Sequence, residues 1–221
     1  MKEKKSKIIS FKYFLHDFIR VTGLPLLLWF RPKKIYISKE AKKKIKGGVL
    51  FISNHTSLSD PLYLMLCLWY RRHHFIAIKE LFEGWFNKFL FTYGFLCIPL
   101  DRENINLFTF KDIVNHLKMG EAVSMFPEGH VNDQNDGINN FKSGVVMMAL
   151  KGGVPIVPLY LKRRKHWYSR VVLCVGEAIN LQNGDSQTRP TLSQIDEMTK
   201  HLYEQEKALE LLCEEKGSKY K

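Results

Sequence analysis

Short apolar runs alternate with amphipathic segments along most of the chain. The runs are free of polar interruption, which is typical of buried strands, and they cover 49–53, 74–78, 95–100, 122–126, 154–161 and 170–175. Helical spacing of apolar residues marks 61–70, 81–93, 107–118, 141–150 and a last segment from Thr191 to about 213, which begins with a Thr191/Gln194 capping box. Buried strands that alternate with helices predict an α/β fold, with a mostly parallel sheet flanked by helices.

The N-terminal segment has a different pattern. Apolar residues at Ile8, Phe11, Leu15 and Phe18 repeat with the spacing of one helix face. Charged residues such as Asp17 interrupt the run, so it lacks the roughly 20 apolar residues that a transmembrane helix needs. We predict an amphipathic helix that lies on a membrane surface. The alternative is an ordinary helix packed on the protein's own core.

The net charge of +12 is concentrated in this same segment. Residues 1–46 contain 14 Lys or Arg against 3 Asp or Glu, a net charge of +11, whereas residues 47–221 contain 20 against 19. A basic segment can bind nucleic acid or anionic lipid, and the apolar helix between the lysines favours lipid. We therefore expect an anionic membrane surface as a partner and no nucleic acid. The expected division is a basic, amphipathic membrane-attachment segment at 1–46 and a second domain at 47–221.

Polar residues that follow the predicted strands are the candidates for chemistry, because parallel sheets carry their sites beyond the carboxyl ends of strands. His55 and Asp60 lie in Asn-His-Thr-Ser-Leu-Ser-Asp, directly after the first such strand. Histidine accepts a proton near neutral pH, and a carboxylate on its other ring nitrogen would fix its tautomer. The same spacing also fits Asp60 as a helix N-cap before Pro61.

Two further strand ends and one helix start carry charge. Glu128, in Phe-Pro-Glu-Gly, is a carboxylate held between Pro127 and Gly129, and it could bind a substrate hydroxyl or simply face solvent. Arg102 follows another strand, where a guanidinium could grip phosphate or form a surface salt bridge. Lys142, at the start of a predicted helix, is a second candidate for phosphate.

These segments, taken together and in order, resemble the four motifs of the glycerolipid acyltransferase family, especially the lysophosphatidic acid acyltransferases. The motifs are Asn-His-x4-Asp, a strand ending in Arg, Phe-Pro-Glu-Gly and Val-Pro-Ile-Val-Pro, which stand here at 54–60, 94–102, 126–129 and 154–158. The resemblance extends over about residues 47–180, so it assigns the domain at 47–221 to catalysis.

The resemblance implies a reaction and a role for each residue. His55 would be the general base that deprotonates the acceptor hydroxyl, with Asp60 orienting it, and the hydroxyl would attack the acyl thioester without a covalent acyl-enzyme. Arg102, Glu128, Gly129 and Lys142 would bind the acceptor, lysophosphatidic acid, which becomes phosphatidic acid. The donor would be acyl-CoA or acyl-acyl carrier protein, with no cofactor and no metal. The protein would be peripheral or monotopic on the cytoplasmic face of a membrane.

Two departures from the family pattern leave alternatives open. The second motif is longer than usual, so Arg102 matches by its place after a strand. The third motif continues in the family with Thr-Arg-Ser, but here with His130, Val131 and Asn132. Either Lys142 or another base replaces the missing arginine, or the acceptor is a different lysolipid or an amine-bearing lipid. A non-enzymatic basic protein is a remote alternative. So is a metal hydrolase, since the sequence has no HExxH pattern.

Overall fold

One mixed sheet of seven strands organises the part of the chain that the computed structural model describes, residues 11–23, 25, 29, 32–101, 107–132, 138–164, 166, 169–181 and 190–217. The strands are β1 (Lys33–Tyr36), β2 (Val49–Ser53), β3 (His73–Ile78), β4 (Ile98–Leu100), β5 (Ala122–Met125), β6 (Ile156–Leu161) and β7 (Val172–Val175), in the order β1-β7-β6-β2-β5-β3-β4. Only the β6–β7 pair is antiparallel among these strands. The predicted α/β fold with a mostly parallel sheet is confirmed.

Helices cover both faces of this sheet. They are α1 (Phe11–Thr22), α2 (Asp60–Cys67), α3 (Trp85–Phe89), α4 (Leu107–Lys118), α5 (Gly144–Gly152) and α6 (Leu192–Gly217). The single helix predicted at 81–93 is wrong in detail: a 3-10 turn (Lys79–Phe82) precedes α3, and a π-helical turn (Leu90–Gly94) continues it. The interruption falls at Gly84, whose φ of 79° is incompatible with a continuous right-handed helix.

The core consists of two layers that meet at the central strand β2, all of whose residues are buried. Phe51 packs in one layer with Leu64 of α2, while Leu50 and Ile52 pack in the other with α4, α5 and α6. Burying a side chain of this size stabilises the fold by about 1.5–3 kcal/mol. The two layers therefore fix the end of β2, and with it the loop that carries His55.

The strand β1 was missed at the sequence level. It pairs in parallel with β7 at the sheet edge and buries Ile35, while Lys34 is exposed. Because an edge strand with one buried position lacks an apolar run, its pattern resembled part of the basic segment. The sheet thus begins inside residues 1–46, and the expected boundary at 46/47 is not a boundary of the sheet. The functional division stays a prediction.

The helix α1 packs on the body through Ile19 and through polar residues, and it also turns apolar residues outward. His16 is fully buried and its Nδ1 donates to the Gly94 carbonyl at 2.8 Å. Asp17 forms an ion pair with Arg72 at 2.6 Å. The outward side chains are Phe14, Phe18 and Val21, each more than half exposed. Within the described residues, no helix has the length and apolar character to cross a bilayer.

Candidate active site

His55 and Asp60 meet in the loop that joins β2 to α2, as their spacing predicted. The Nδ1 atom of His55 lies 3.0 Å from Oδ2 of Asp60. The Asp60 side chain is 3% exposed and the His55 side chain 14% exposed, so the pair is shielded but remains open on the histidine side. The same Asp60 oxygen accepts hydrogen bonds from the backbone amides of Thr56 at 2.7 Å and Ser57 at 2.8 Å.

This geometry assigns the tautomer of His55. A carboxylate only accepts hydrogen bonds, so Nδ1 carries the proton and Nε2 carries the lone pair of the neutral imidazole. No described residue forms a hydrogen bond with Nε2. In its neutral form His55 therefore presents the Nε2 lone pair on the side away from Asp60, which is what a general base requires.

The alternative role of Asp60 as the N-cap of α2 is wrong. The N-cap residue is Ser59, and Asp60 is the first residue of the helix, followed by Pro61. The Asp60 carboxylate points back to the preceding loop and holds the amides of Thr56 and Ser57. Since the amides of Thr56 and Ser57 bind Asp60, they are not available to stabilise an oxyanion.

Glu128 fixes the backbone of the same loop. It is 3% exposed, and its two carboxylate oxygens accept from the His55 amide and the Asn139 amide, each at 3.1 Å. The carbonyl of His55 in turn accepts from the Asn132 amide at 2.7 Å. Glu128 is therefore not a solvated turn residue, and its contacts position His55. Its predicted contact with the acceptor stays a prediction.

Two further residues hold this loop without having been assigned a role from the sequence. Asn54 is 3% exposed, and its side-chain amide bonds both to the Leu161 amide at 2.7 Å and to the Leu161 carbonyl at 3.0 Å. It thereby ties the end of β2 to the end of β6. Phe126 stacks on the His55 ring, with 4.0 Å between ring centroids and 14° between planes. The available signal was their position inside the first and third motifs.

Gly129 and Lys142 lie together at the edge of the site. Gly129 has a φ of 77°, which favours glycine. A Cβ on Gly129 would lie 3.2 Å from Nζ of Lys142, so the exposed lysine covers the glycine backbone. Arg102 lies outside the described residues. Its neighbour Asp101 forms an ion pair with Lys79 at 2.7 Å.

A second group of cations borders the catalytic pair and was not singled out from the sequence. A cavity of about 310 Å³ lies beside Asp60, lined by Thr56, Ser57, Asp60, Tyr63, Leu161, Lys162, Arg163, Arg164, His166 and Val171. The guanidinium of Arg163 donates to the carbonyl of Asn132 at 2.5 Å, next to Val131. The signal was present in the run Lys-Arg-Arg-Lys-His that follows the β6 strand. Arg163, which follows β6, therefore reaches the segment around Val131, where the family pattern has an arginine and this chain does not.

Three of the four cysteines are poor candidates for a catalytic nucleophile. Burial raises the pKa of Cys67 and of Cys97 to about 12, and the pKa of Cys213 is also raised, by Cys174 and by burial. These three thiols stay protonated at neutral pH, and a protonated thiol is a poor nucleophile.

Comparison with known proteins points to the same chemistry. The family model described as Acyltransferase matches residues 34–162, which is 129 of the 221 residues. A 1-acyl-sn-glycerol-3-phosphate acyltransferase of Bacillus subtilis is 28% identical over 74% of this chain and 82% of its own length. A probable 1-acyl-sn-glycerol-3-phosphate acyltransferase of Mycoplasma pneumoniae is 32% identical, over 52% of this chain and 44% of its own length.

A solved structure supports the fold independently. The crystal structure of the 1-acyl-sn-glycerophosphate (LPA) acyltransferase PlsC from Thermotoga maritima superposes with a TM-score of 0.62 at 19% identity, over 89% of this chain and 79% of that one. At this identity the likeness concerns the fold. The match to the Acyltransferase family model covers every strand from β2 to β6 and the whole His55 loop. On that basis the chain belongs to the acyltransferase family.

Proposed function

We propose that this acyltransferase transfers a fatty acyl group from a thioester donor to the free hydroxyl of lysophosphatidic acid, giving phosphatidic acid at a membrane surface. The observation that carries the chemistry is the His55–Asp60 contact, which occupies Nδ1 and leaves Nε2 facing away from the carboxylate. The names of the Bacillus and Mycoplasma relatives support the choice of acceptor.

The reaction needs a base that first accepts a proton and later returns it, and His55 fills both roles. Nε2 of His55 takes the proton from the acceptor hydroxyl as its oxygen attacks the thioester carbonyl. The imidazolium that forms is stabilised by Asp60 and returns the proton to the departing thiolate as the tetrahedral intermediate collapses. The products are the new ester and the free thiol of coenzyme A or of acyl carrier protein. The protein needs no covalent intermediate and no cofactor for these steps.

The basic cavity supports a phosphorylated acceptor. It shares Asp60 with the catalytic pair and brings Lys162, Arg163 and Arg164 to its lining. Guanidinium groups suit phosphate because they offer paired donors in one plane. Arg163 contacts Asn132, so it supplies the positive charge that Val131 does not. Lys142 beside Gly129 offers a further cation, and Arg102 stays a predicted phosphate contact.

The surface of the protein supports attachment to a membrane. Exposed apolar side chains, most of them aromatic, lie on two elements, and we call them the aromatic face. They are Phe14, Phe18 and Val21 on α1, and Trp85, Phe86, Phe89 and Tyr93 on α3 and its π-helical turn. These two elements are in contact, because Ile19 of α1 packs on Gly94. Exposed apolar side chains on adjoining elements mark an interaction surface. Exposed lysines at 34, 39, 42, 43, 44 and 46 supply the charge that anionic headgroups attract.

Val131 favours one alternative, an acyltransferase that acts on another lysolipid or on an amine-bearing lipid. The test is an acyl-transfer assay by mass spectrometry, with acyl-CoA and acyl-acyl carrier protein as donors and a panel of lysolipid acceptors. We expect the highest kcat/KM with lysophosphatidic acid. Turnover of lysophosphatidylcholine or lysophosphatidylethanolamine without turnover of lysophosphatidic acid would contradict the proposed acceptor, while preserving the mechanism at His55.

A further inference from the structure

Two buried histidines and a carboxylate converge at the end of the sheet opposite to His55. His74 is the second residue of β3, Glu121 directly precedes β5, and His116 lies in the last turn of α4. His55 follows the carboxyl end of β2, whereas His74 and Glu121 lie at the amino ends of strands parallel to it. At about 3.3 Å per residue, the length of β2 separates the two places by roughly 15 Å. The cluster is therefore not part of the catalytic site.

One ring nitrogen of His74 and one of His116 lie close to the same carboxylate oxygen of Glu121. Nε2 of His74 lies 3.2 Å and Nδ1 of His116 lies 2.5 Å from Oε2 of Glu121, and all three atoms lie within 4.8 Å of one another. Tetrahedral zinc with bonds of about 2.1 Å places its ligand atoms about 3.4 Å apart. The spacings between these three atoms, from 2.5 Å to at most 4.8 Å, bracket that value, so changes of up to about 1.4 Å in their separations would give a metal site.

The backbone holds these residues firmly. The Glu121 amide donates to the His116 carbonyl at 3.1 Å across a turn in which Gly120 has a φ of 83°. This is the hydrogen bond that closes a helix end in a Schellman motif, so His116 and Glu121 are fixed relative to each other. His74 is in register with Val123 of β5. His74 is 3% and His116 8% exposed, so packing against the sheet holds both rings in place.

The surrounding groups match what surrounds metal ligands. The Tyr13 hydroxyl of α1 donates to Oε1 of Glu121 at 3.0 Å, which leaves Oε2 for an ion. Metal-bound histidines commonly present their second nitrogen to a carboxylate, and Oδ1 of Asp112 lies 3.9 Å from Nε2 of His116, beyond hydrogen-bond distance but on that side of the ring. A cavity of about 900 Å³, which both His74 and Glu121 line, gives water a path to a fourth coordination position. Nearby Arg72 is paired with Asp17, which offsets its charge.

We propose that His74, His116 and Glu121 bind a divalent transition-metal ion, with zinc the best fit. Two imidazoles and one carboxylate form a ligand set that zinc accepts with a water in the fourth position. The ion would join β3, α4 and β5 and, through Tyr13, steady the docking of α1. Without an ion, the same atoms form a hydrogen-bonded cluster in which both rings donate to Glu121.

The test uses the full chain after removal of metal by a chelator. Co²⁺ is added while its visible absorption is followed, and Zn²⁺ binding is measured by titration calorimetry. We expect one ion per chain, with the intense Co²⁺ bands of a four- or five-coordinate site, and a higher Tm in the presence of Zn²⁺. Glu121→Gln and His116→Gln should each weaken binding by about 100-fold or more, with the Tm increase lost.

Two controls make the result decisive. His201, an exposed histidine of α6, is replaced by Asn, and this variant should bind Zn²⁺ as the unchanged protein does. Circular dichroism reports whether each variant is folded, and the titration of the unchanged protein does not depend on any variant. The proposal is overturned if that protein leaves Co²⁺ with the spectrum of the hydrated ion, or if Glu121→Gln and His116→Gln both bind as tightly as it does. Acyl transfer is not a readout, so the outcome is independent of the proposed function.

Discussion

Two buried carboxylates share the positioning of His55. Asp60 holds the imidazole ring through Nδ1, and Glu128 holds the backbone of the same residue through its amide. Asp60 also accepts from the Thr56 amide, and Glu128 from the Asn139 amide, so each carboxylate ties His55 to a second backbone segment. A catalytic base must lie within a few tenths of an ångström of its productive position. The placement of Nε2 therefore depends on Glu128 as well as on Asp60.

We predict that Glu128→Gln lowers kcat with little change in the KM of the acceptor. A glutamine can accept from one of the two amides, but its NH₂ group faces the other, and a buried unsatisfied donor costs about 1–3 kcal/mol. Where that cost falls on the placement of His55, it corresponds to a loss of roughly 5- to 150-fold in kcat. Steady-state kinetics against the exposed control Glu177→Gln measure it. A higher acceptor KM with unchanged kcat would instead indicate that Glu128 contacts the glycerol.

Arg163 is the residue expected to sense the acceptor phosphate. We predict that Arg163→Ala raises the KM for lysophosphatidic acid by about 10-fold, because one charge-assisted contact is lost. The KM for an uncharged monoacylglycerol should change by less than about 2-fold. Lys151→Ala, an exposed substitution on α5, serves as the control. Equal increases for both acceptors would show that Arg163 supports the loop and does not bind phosphate.

At the scale of elements, the helix α6 places a buried carboxyl group near Glu128 and Asn54 of the site. Its Glu206 is fully buried and neither carboxylate oxygen has a hydrogen-bond partner among the described residues. Burial, and then the nearby charge of Glu128, raise the pKa of Glu206 well above its ordinary value. Such a group is neutral in the folded protein at pH values where it is charged in the unfolded chain. The helix that supports the His55 loop therefore contains a group that weakens the fold as pH rises.

We predict that Glu206→Gln stabilises the protein at neutral pH. Because the folded pKa lies above the unfolded one, the wild-type side chain is tolerated best below the unfolded pKa. As the pH rises above the unfolded pKa, the free energy of unfolding of the wild-type protein falls by about 1.4 kcal/mol per pH unit, until the folded pKa is reached. Denaturant unfolding at several pH values measures the difference, with exposed Glu204→Gln of the same helix as the control. A difference that is the same at pH 4.5 and pH 7.5 would refute this account.

At the scale of the whole molecule, aromatic and basic surfaces combine to favour a lipid surface. The helix α1 packs Ile19 and His16 against the body and also leaves Phe14 and Phe18 outward, where they face solvent. Deleting α1 would expose the body surface that it covers, so point substitutions separate membrane binding from folding. The aromatic face is therefore best tested one side chain at a time.

We predict that Phe14→Ser combined with Phe18→Ser lowers binding to vesicles of phosphatidylcholine and phosphatidylglycerol by at least about 10-fold. Each aromatic ring that enters the lipid contributes about 1.5–3 kcal/mol, although partial insertion realises only a fraction of this. Vesicle sedimentation measures the change, and Leu211→Ser, an exposed apolar position on α6, is the control. Unchanged sedimentation of the double variant would exclude α1 as the attachment surface.

Much of the architecture followed from sequence pattern because buried parallel strands leave apolar runs, as in β2 and β6. The pattern failed where burial is one-sided or helix geometry is irregular, as in β1 and the turn at Gly84. At the site, spacing brought His55 and Asp60 together but could not show that Glu128 binds the His55 amide. Arg163 was missed because its approach to Asn132 depends on how two loops pack, which no local pattern records.

The most direct test of the account is the turnover of His55→Ala with lysophosphatidic acid and an acyl thioester. Removing a general base is expected to lower kcat by about 10²–10⁴-fold, while circular dichroism and Tm stay close to those of the exposed control His201→Ala. The result that would contradict the account is a folded His55→Ala variant whose kcat equals that of the unchanged protein.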